Sequence, residues 1–380
     1  MRLGFIGCGK ASLEYHLPAC HEERAIQVVG AADTTLARRE IFRSAAGLSP
    51  RDCVAAYADL LRRTDVDAVI IATPPAQRPP IALAALEAGK HTLCEKPMAL
   101  APAHAWNIAR AARRANLRLG VVHNYYFRPD YASVKRVLES GAIGRPYLVT
   151  INFLGVQDRP GSAVYQPGWR HRLQISGGGV LMDMLHAVYL AGWFLSQQPR
   201  SVSAAIDRRL NSADSVEDVA LCRFEFEHGF ALVNVAWGEG PGGIEVMGSD
   251  GRLLLFYRGF GTGSFAPPEQ LHVFRHGERI PVEFAVTPTL GVREVLRDFA
   301  ASVAEERDPI APGEEGCQTL EAVVGAYKSA LLGRKVFLPL EESDPVYQRG
   351  AAGLFELEAA QGSPIVSRAP FEHPDGVPEI

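Results

Sequence analysis

The sequence predicts an α/β protein in two folded parts and an arm. A doubly wound parallel-sheet domain is expected over residues 1–122, an α+β domain with a large mixed or antiparallel sheet over 123–340, and a C-terminal arm over 341–380. Three observations carry this. The chain has 380 residues, more than one ordinary core encloses. Its first third alternates short apolar runs with helical patterns, as strands do when helices cover both faces of their sheet. From about residue 146 the strand-like runs lengthen and alternate, as in a sheet with one face left over.

Composition narrows the function classes. Hydrophobic residues make up 47% and charged residues 22%, the balance of a folded chain. A net charge of −4 with scattered arginines predicts no nucleic-acid partner. The six cysteines stand far apart without a C-x-x-C pair, so neither a metal site nor a disulfide framework is indicated. Reduced thiols and a cytoplasmic location are the expectation. The apolar run at residues 2–6 is too short for a signal peptide. The stretch 177-GGGVLMDMLHAVYLAGWFL-195 opens with three glycines and contains Asp183 and His186, which argues against a membrane span and leaves a core helix or a helix that presents both groups to a cleft.

Taken in order, residues 2–6 form a strand that ends in 7-GCGKAS-12, and a helical pattern follows. Gly7 and Gly9 permit the tight turn and the close approach of a pyrophosphate to the helix N-terminus, where Lys10 and Ala11 lie. This is the Rossmann dinucleotide-binding fingerprint, weak by itself, with Ser12 in its third glycine position. A second strand, 26–33, ends in Asp33 at the spacing the fingerprint asks for. Its carboxylate either caps the helix beginning near Thr35 or accepts from the adenosine ribose, and the two roles are compatible. The second role repels a 2′-phosphate and favours NAD, without excluding NADP. Strands at 67–74, 91–95 and 118–122 alternate with helices at 78–89 and 102–115. Their carboxyl ends bring Thr73, Pro74, Glu95, Lys96 and Asn124 toward one crevice.

The glycine turn, 73-TPP-75, 86-LEAGKHTLCEKPMAL-100, 124-NYYFRP-129 and 177-GGGVLMD-183, in this order, resemble the Gfo/Idh/MocA oxidoreductases. These are NAD(P)-dependent enzymes acting mostly on sugars, polyols and related compounds. The resemblance implies that Lys96 lies near the nicotinamide and the reacting hydroxyl, with a cis bond to Pro97, and that His186 is the general acid/base beside Asp183. Three departures stand out. The family's Asp-x-x-x-His is here Asp-x-x-His, its common His is Arg78, and the Asn of Thr-Pro-Asn is Pro75.

The chemistry suits these groups, because oxidising a secondary alcohol needs a base at the hydroxyl and a cation for developing alkoxide charge. On one helix, Asp183 and His186 three apart share a face; the alternative is a hydrogen-bonded pair satisfied in the core. The glycines before Asp183 are expected to delay the helix start, leaving Asp183 not yet helical and restoring the place of His186. Tyr125, Trp169 and Arg170 are candidate substrate neighbours, Trp169 being equally a core residue, and the loop 157–169 is the candidate lid. The leftover sheet face is expected to join subunits into a dimer or tetramer, and the arm to cross the surface or a neighbouring subunit. A carbohydrate-like small-molecule substrate is implied, with no membrane partner. Two other activities compete: an NAD-dependent glycosidase with a transient redox cycle, and a non-catalytic dinucleotide sensor.

Overall fold

The computed structural model describes residues 1–156, 168–209, 216–238, 240, 242–257, 268–284 and 289–361. The chain divides into two compact units: Met1–Phe127 with Gly291–Gln318, and Arg128–Leu290 with Thr319–Ile380.

In the first unit six described strands form a parallel sheet: β1 (Arg2–Ile6), β2 (Gln27–Ala32), β3 (Cys53–Val54), β4 (Ala68–Ile71), β5 (His91–Cys94) and β6 (Leu119–Val121). Their spatial order is β3-β2-β1-β4-β5-β6, and every pair of neighbours is parallel. The order reverses between β1 and β4, the switch point beside which such sheets bind ligands. Apolar side chains on both faces explain the near-continuous runs: Ala68, Val69, Ile70 and Ile71 are all fully buried. The flanking helices follow local rules. Helix Pro102–Ala115 starts with proline, whose missing N–H costs nothing there, and stops at Asn116 in the left-handed region (φ 52°).

The boundary expected at residue 122 is corrected in one respect: Gly291–Gln318 belongs with the first unit. The physical reason lies at the sheet edge. Gly120 of β6 is bridged to Pro312, and the Val121 amide donates to Ala311 O at 3.0 Å. Phe299, on helix Val292–Ala304, lies over Gly120, where a Cβ would come within 3.1 Å of its ring. These later residues cover an edge that would otherwise be bare.

In the second unit nine described strands make one mixed sheet: β7 (Pro146–Val156), β8 (Ser201–Asp207), β9 (Val219–Phe226), β10 (Gly229–Trp237), β11 (Gly242–Gly248), β12 (Gly251–Tyr257), β13 (Pro268–Arg275), β14 (Glu278–Ile280) and β15 (Val336–Phe337). The order is β14-β13-β12-β11-β7-β10-β9-β8-β15, with β7 and β10 parallel and the other pairs antiparallel. Strand alternation gives the sheet two faces. Val149, Ile151, Phe153, Val233, Val235, Phe224 and Val246 are buried on one, against which helix His186–Leu195 packs. The other is open, with Leu221, Phe230, Leu232 and Phe256 exposed.

Among the described residues no single helix is long and apolar enough to cross a membrane. The beginning of the expected arm is helical, Pro345–Arg349 and Ala352–Gln361. Val346, Tyr347, Ala351 and Leu354 are buried, and Asp344 both caps the first of these helices and pairs with Lys328. Residues 362–380 of the arm and residues 157–167 of the expected lid lie outside the described residues.

Candidate functional site

In the first unit the site is built at the carboxyl ends of β1, β2, β4 and β5. Gly7 has φ 98°, and a Cβ there would lie 2.9 Å from the Ala72 carbonyl, so only glycine lets β1 turn this close to the end of β4. Ser12 Oγ donates to Gly7 O at 2.6 Å and locks the turn against the helix that Lys10 and Ala11 open. Asp33 ties two turns together through their backbones. Its Oδ2 accepts from the Cys8 amide at 2.9 Å and its Oδ1 from the Thr35 amide at 2.8 Å. The carboxylate is therefore fixed beside the glycine turn, at the start of helix Leu36–Ala46.

The end of β5 is fixed more heavily. Glu95 Oε1 lies 2.7 Å from Nε2 of His16, which is 1% exposed, and Oε2 accepts from the Lys96 amide at 3.0 Å. Burial pushes the Glu95 carboxyl up, but the His16 hydrogen bond and the charges of His16, Arg78 and Lys96 outweigh it and hold it at about 2. The Lys96–Pro97 bond is cis, as the resemblance implies. Arg78, noted in the sequence only as a departure, is 4% exposed and donates to the carbonyls of Thr73, Glu95 and Pro97. Pro74 is partly buried and Asn124 lies in the short helical turn Asn124–Phe127, where Tyr125 is 1% exposed.

This half fits a dinucleotide. Open space lies where a Cβ of Gly9 would be, at the approach to a helix N-terminus, and the buried Thr73 Oγ1 has no hydrogen-bond partner among the described residues. NAD bound here would be held by the Gly7–Ala11 turn, Asp33 and Thr73.

In the second unit the glycine-led segment is not one helix, which corrects two expectations. Asp183 ends a short helix, Val180–Asp183, and His186 begins another, His186–Leu195; the axis bends by 44° at the break. Asp183 is thus helical, and the two residues do not share one helix face. The helical start ahead of Asp183 is set by Glu217, which the sequence motifs do not point to. Its side chain is fully buried and accepts from the Gly179 amide (2.7 Å), the Leu181 amide (3.0 Å) and the Tyr327 hydroxyl (2.9 Å), while its main-chain oxygen accepts from the Val180 amide (3.1 Å). Three successive amides are satisfied, so the helix starts at once. Gly179 is required because a Cβ would fall 1.9 Å from the Glu217 oxygen. Burial, partly offset by those donors, raises the Glu217 carboxyl to about 7.

Asp183 is paired with Arg170, whose guanidinium also lies 5.2 Å over the Trp169 ring. Sequence reasoning places Trp169 and Arg170 near substrate; the structure adds that Arg170 is the partner of Asp183. His186 is 5% exposed, with Nδ1 2.7 Å from the Tyr189 hydroxyl. His171, which the motifs also pass over, packs edge-on against Trp237 at 5.1 Å; burial and the Arg170 charge lower its pKa against the pull of Asp183. Nothing local in the sequence marks Glu217 or His171; Glu217 holds amides 38 and 36 residues before it, and His171 packs on the distant Trp237.

Comparison with known proteins agrees with this architecture. Residues 1–123 match the oxidoreductase family with NAD-binding Rossmann fold, and residues 131–254 match the GFO/IDH/MocA C-terminal domain. The chain is 27% identical over 346 residues to a 1,5-anhydro-D-fructose reductase of Ensifer adhaerens, an alignment covering 88% of this chain and 97% of the relative. A dehydrogenase from Bordetella pertussis, solved with NADH and UDP-GlcNAcA, superposes with TM-score 0.77 at 25% identity, covering 90% of this chain and 98% of that one. A 3-ketoreductase from Actinomadura kijaniata, solved with NADP and TDP-benzene, superposes with TM-score 0.73 at 25% identity, covering 87% and 97%. The chain therefore belongs to the Gfo/Idh/MocA family and is an NAD(P)-dependent oxidoreductase of that family.

Proposed function

We propose that this enzyme oxidises a secondary hydroxyl of a sugar, polyol or related compound, with NAD preferred to NADP. The observation that carries the reading is the end of β5, where Lys96 is held in place by Glu95 and Arg78 beside a glycine turn fit for a dinucleotide. When bound, NAD supplies the hydride-accepting ring. Lys96 stabilises the negative charge that grows on the reacting oxygen as its proton leaves. His186 takes that proton, its ring held by the Tyr189 hydroxyl 2.7 Å from Nδ1. Asp183, paired with Arg170, keeps the local charge balanced and helps orient the substrate. The names of three relatives, a 1,5-anhydro-D-fructose reductase, an inositol 2-dehydrogenase and a D-apiose dehydrogenase, support a carbohydrate-like substrate. Asp33 supports NAD, because its fixed carboxylate disfavours a 2′-phosphate.

The open face of the second sheet supports a homo-oligomer. Leu221, Phe230, Leu232 and Phe256 stand exposed on it, apolar surface that water disfavours and a second copy would cover.

The test is a screen of NAD reduction over sugars, inositols and uronates, with Lys96→Met as control. Turnover of at least one polyhydroxy compound is expected in the unaltered enzyme, with a loss of about 10²-fold or more in the variant. Equal turnover by Lys96→Met would remove the lysine from the chemistry.

A further inference from the structure

We propose that Arg78 is a positioning residue for Lys96: its guanidinium grips the backbone on both sides of the lysine and ties it to the end of the neighbouring strand. This rests on the reading that Lys96 acts at the reacting oxygen. Arg78 Nε donates to Thr73 O at 2.8 Å, just beyond β4. Its Nη1 donates to Glu95 O at 3.0 Å and to Pro97 O, just beyond β5. The two carbonyls on Nη1 belong to the residues immediately before and after Lys96. The lysine's own amide is held from the other side by Glu95 Oε2 at 3.0 Å, and Glu95 is in turn held by His16. The carbonyl before Lys96, the carbonyl after it and its own amide are therefore each fixed by a side chain.

The location argues that this grip is the purpose of Arg78. The residue opens helix Arg78–Glu87, where the positive end of the helix dipole disfavours a cation, and it is 4% exposed, where desolvation disfavours one again. A neutral side chain would be the easier choice for packing alone. What the guanidinium offers is several donors in a rigid plane, and what it meets is a set of carbonyls just past two strand ends. A lysine at this position has a single point of charge and cannot span the same acceptors. The tie matters because a misplacement of about 1 Å in a reacting group can cost about 10²-fold in rate.

Two measurements on the full-length chain with NAD added test the idea. Hydrogen exchange of the peptide containing residues 94–98 reports the backbone directly and needs no substrate. In Arg78→Lys the Lys96 amide is expected to exchange at least about tenfold faster than in the unaltered protein, because a fixed hydrogen bond limits opening. The second measurement is a double-variant cycle of turnover, using the compound oxidised fastest in the screen. Arg78→Lys and Arg78→Ala should lower kcat by about 10²-fold, with KM for NAD within about threefold. In the Lys96→Met background they should lower the residual rate little further, since the lost contribution is shared. Added guanidinium ion should restore part of the Arg78→Ala rate and none of the Lys96→Met rate. If Arg78→Ala fails to fold, Arg78→Lys carries the cycle. Unchanged exchange at 94–98, or a loss of turnover that is the same in both backgrounds, overturns the proposal. Full activity of Lys96→Met would instead overturn the role of the lysine, and is a separate outcome.

Discussion

Substituting Glu217 by glutamine should change how the stability of the second unit depends on pH. The carboxyl is raised from its ordinary 4.5 to about 7 by burial. Folded protein thus keeps a proton that the unfolded chain releases, so the stabilisation is complete below pH 4.5 and is lost as pH rises through 7. Integrating between those two pKa values, Glu217 costs the folded state on the order of 2–3 kcal/mol on going from about pH 5 to about pH 8.5. Glutamine removes this slope but brings a second change. Gly179 and Leu181 donate to different oxygens of Glu217, and an amide has one oxygen and one NH2 group. One backbone donor then faces another donor, a cost of about 1–3 kcal/mol at every pH. Glu217→Gln should therefore be the less stable protein at pH 5, with the difference shifting in its favour by about 2–3 kcal/mol at pH 8.5.

The assay is urea unfolding at the two pH values, followed by pulsed hydrogen exchange of the peptides covering residues 173–195, because two units need not unfold together. Groups that titrate elsewhere cancel in the difference between the two proteins. A stability gap that stays constant from pH 5 to pH 8.5 would falsify the claim that burial holds Glu217 protonated near neutrality.

Four further outcomes are expected. Gly179→Ala should lose at least about 3 kcal/mol or fail to accumulate as folded protein, because its Cβ would sit 1.9 Å from a backbone oxygen; circular dichroism and urea midpoints check this. Asp33→Ser should raise the ratio of kcat/KM for NADP over NAD by about tenfold or more, through loss of charge repulsion; steady-state kinetics with both cofactors decide, and an unchanged ratio sinks the assignment. His186→Ala should lower kcat by about 10²-fold with NAD affinity unaltered, whereas near-normal turnover would pass the proton to another group. Leu232→Glu with Phe256→Glu should reduce the mass in sedimentation equilibrium by placing charges on the open sheet face, and an unaltered mass would locate assembly elsewhere.

Features whose cause is local are legible in the sequence. Gly7, Asp33 and Lys96 follow short apolar strands at characteristic spacings, and the ends of helix Pro102–Ala115 are set by residues at its own termini. Strand β11 is hidden in the sequence because glycines at 242 and 243 break the alternation that Ile244 and Val246 would otherwise show. Arg78 stands out as a departure but not as a clamp, since two of its three acceptors lie 17 and 19 residues away. Glu217 gives no local sign at all: the amides it holds are 38 and 36 residues before it. That long-range cap decides where the Asp183 helix begins, and so overrides the local tendency of glycines to delay it.

The covered edge of β6 bears on how the protein can be made and cut. Residues up to Phe127 leave the ribosome long before Pro312 and Phe299, so during synthesis the nucleotide-binding sheet waits with a bare strand and an unshielded Gly120. A chaperone that masks strand edges would find its target in that interval. Nor can the first unit be excised by one cut in the gene. A fragment ending at residue 127 would lack its final helix, and a usable one would need Gly291–Gln318 joined back by a short linker near Phe127.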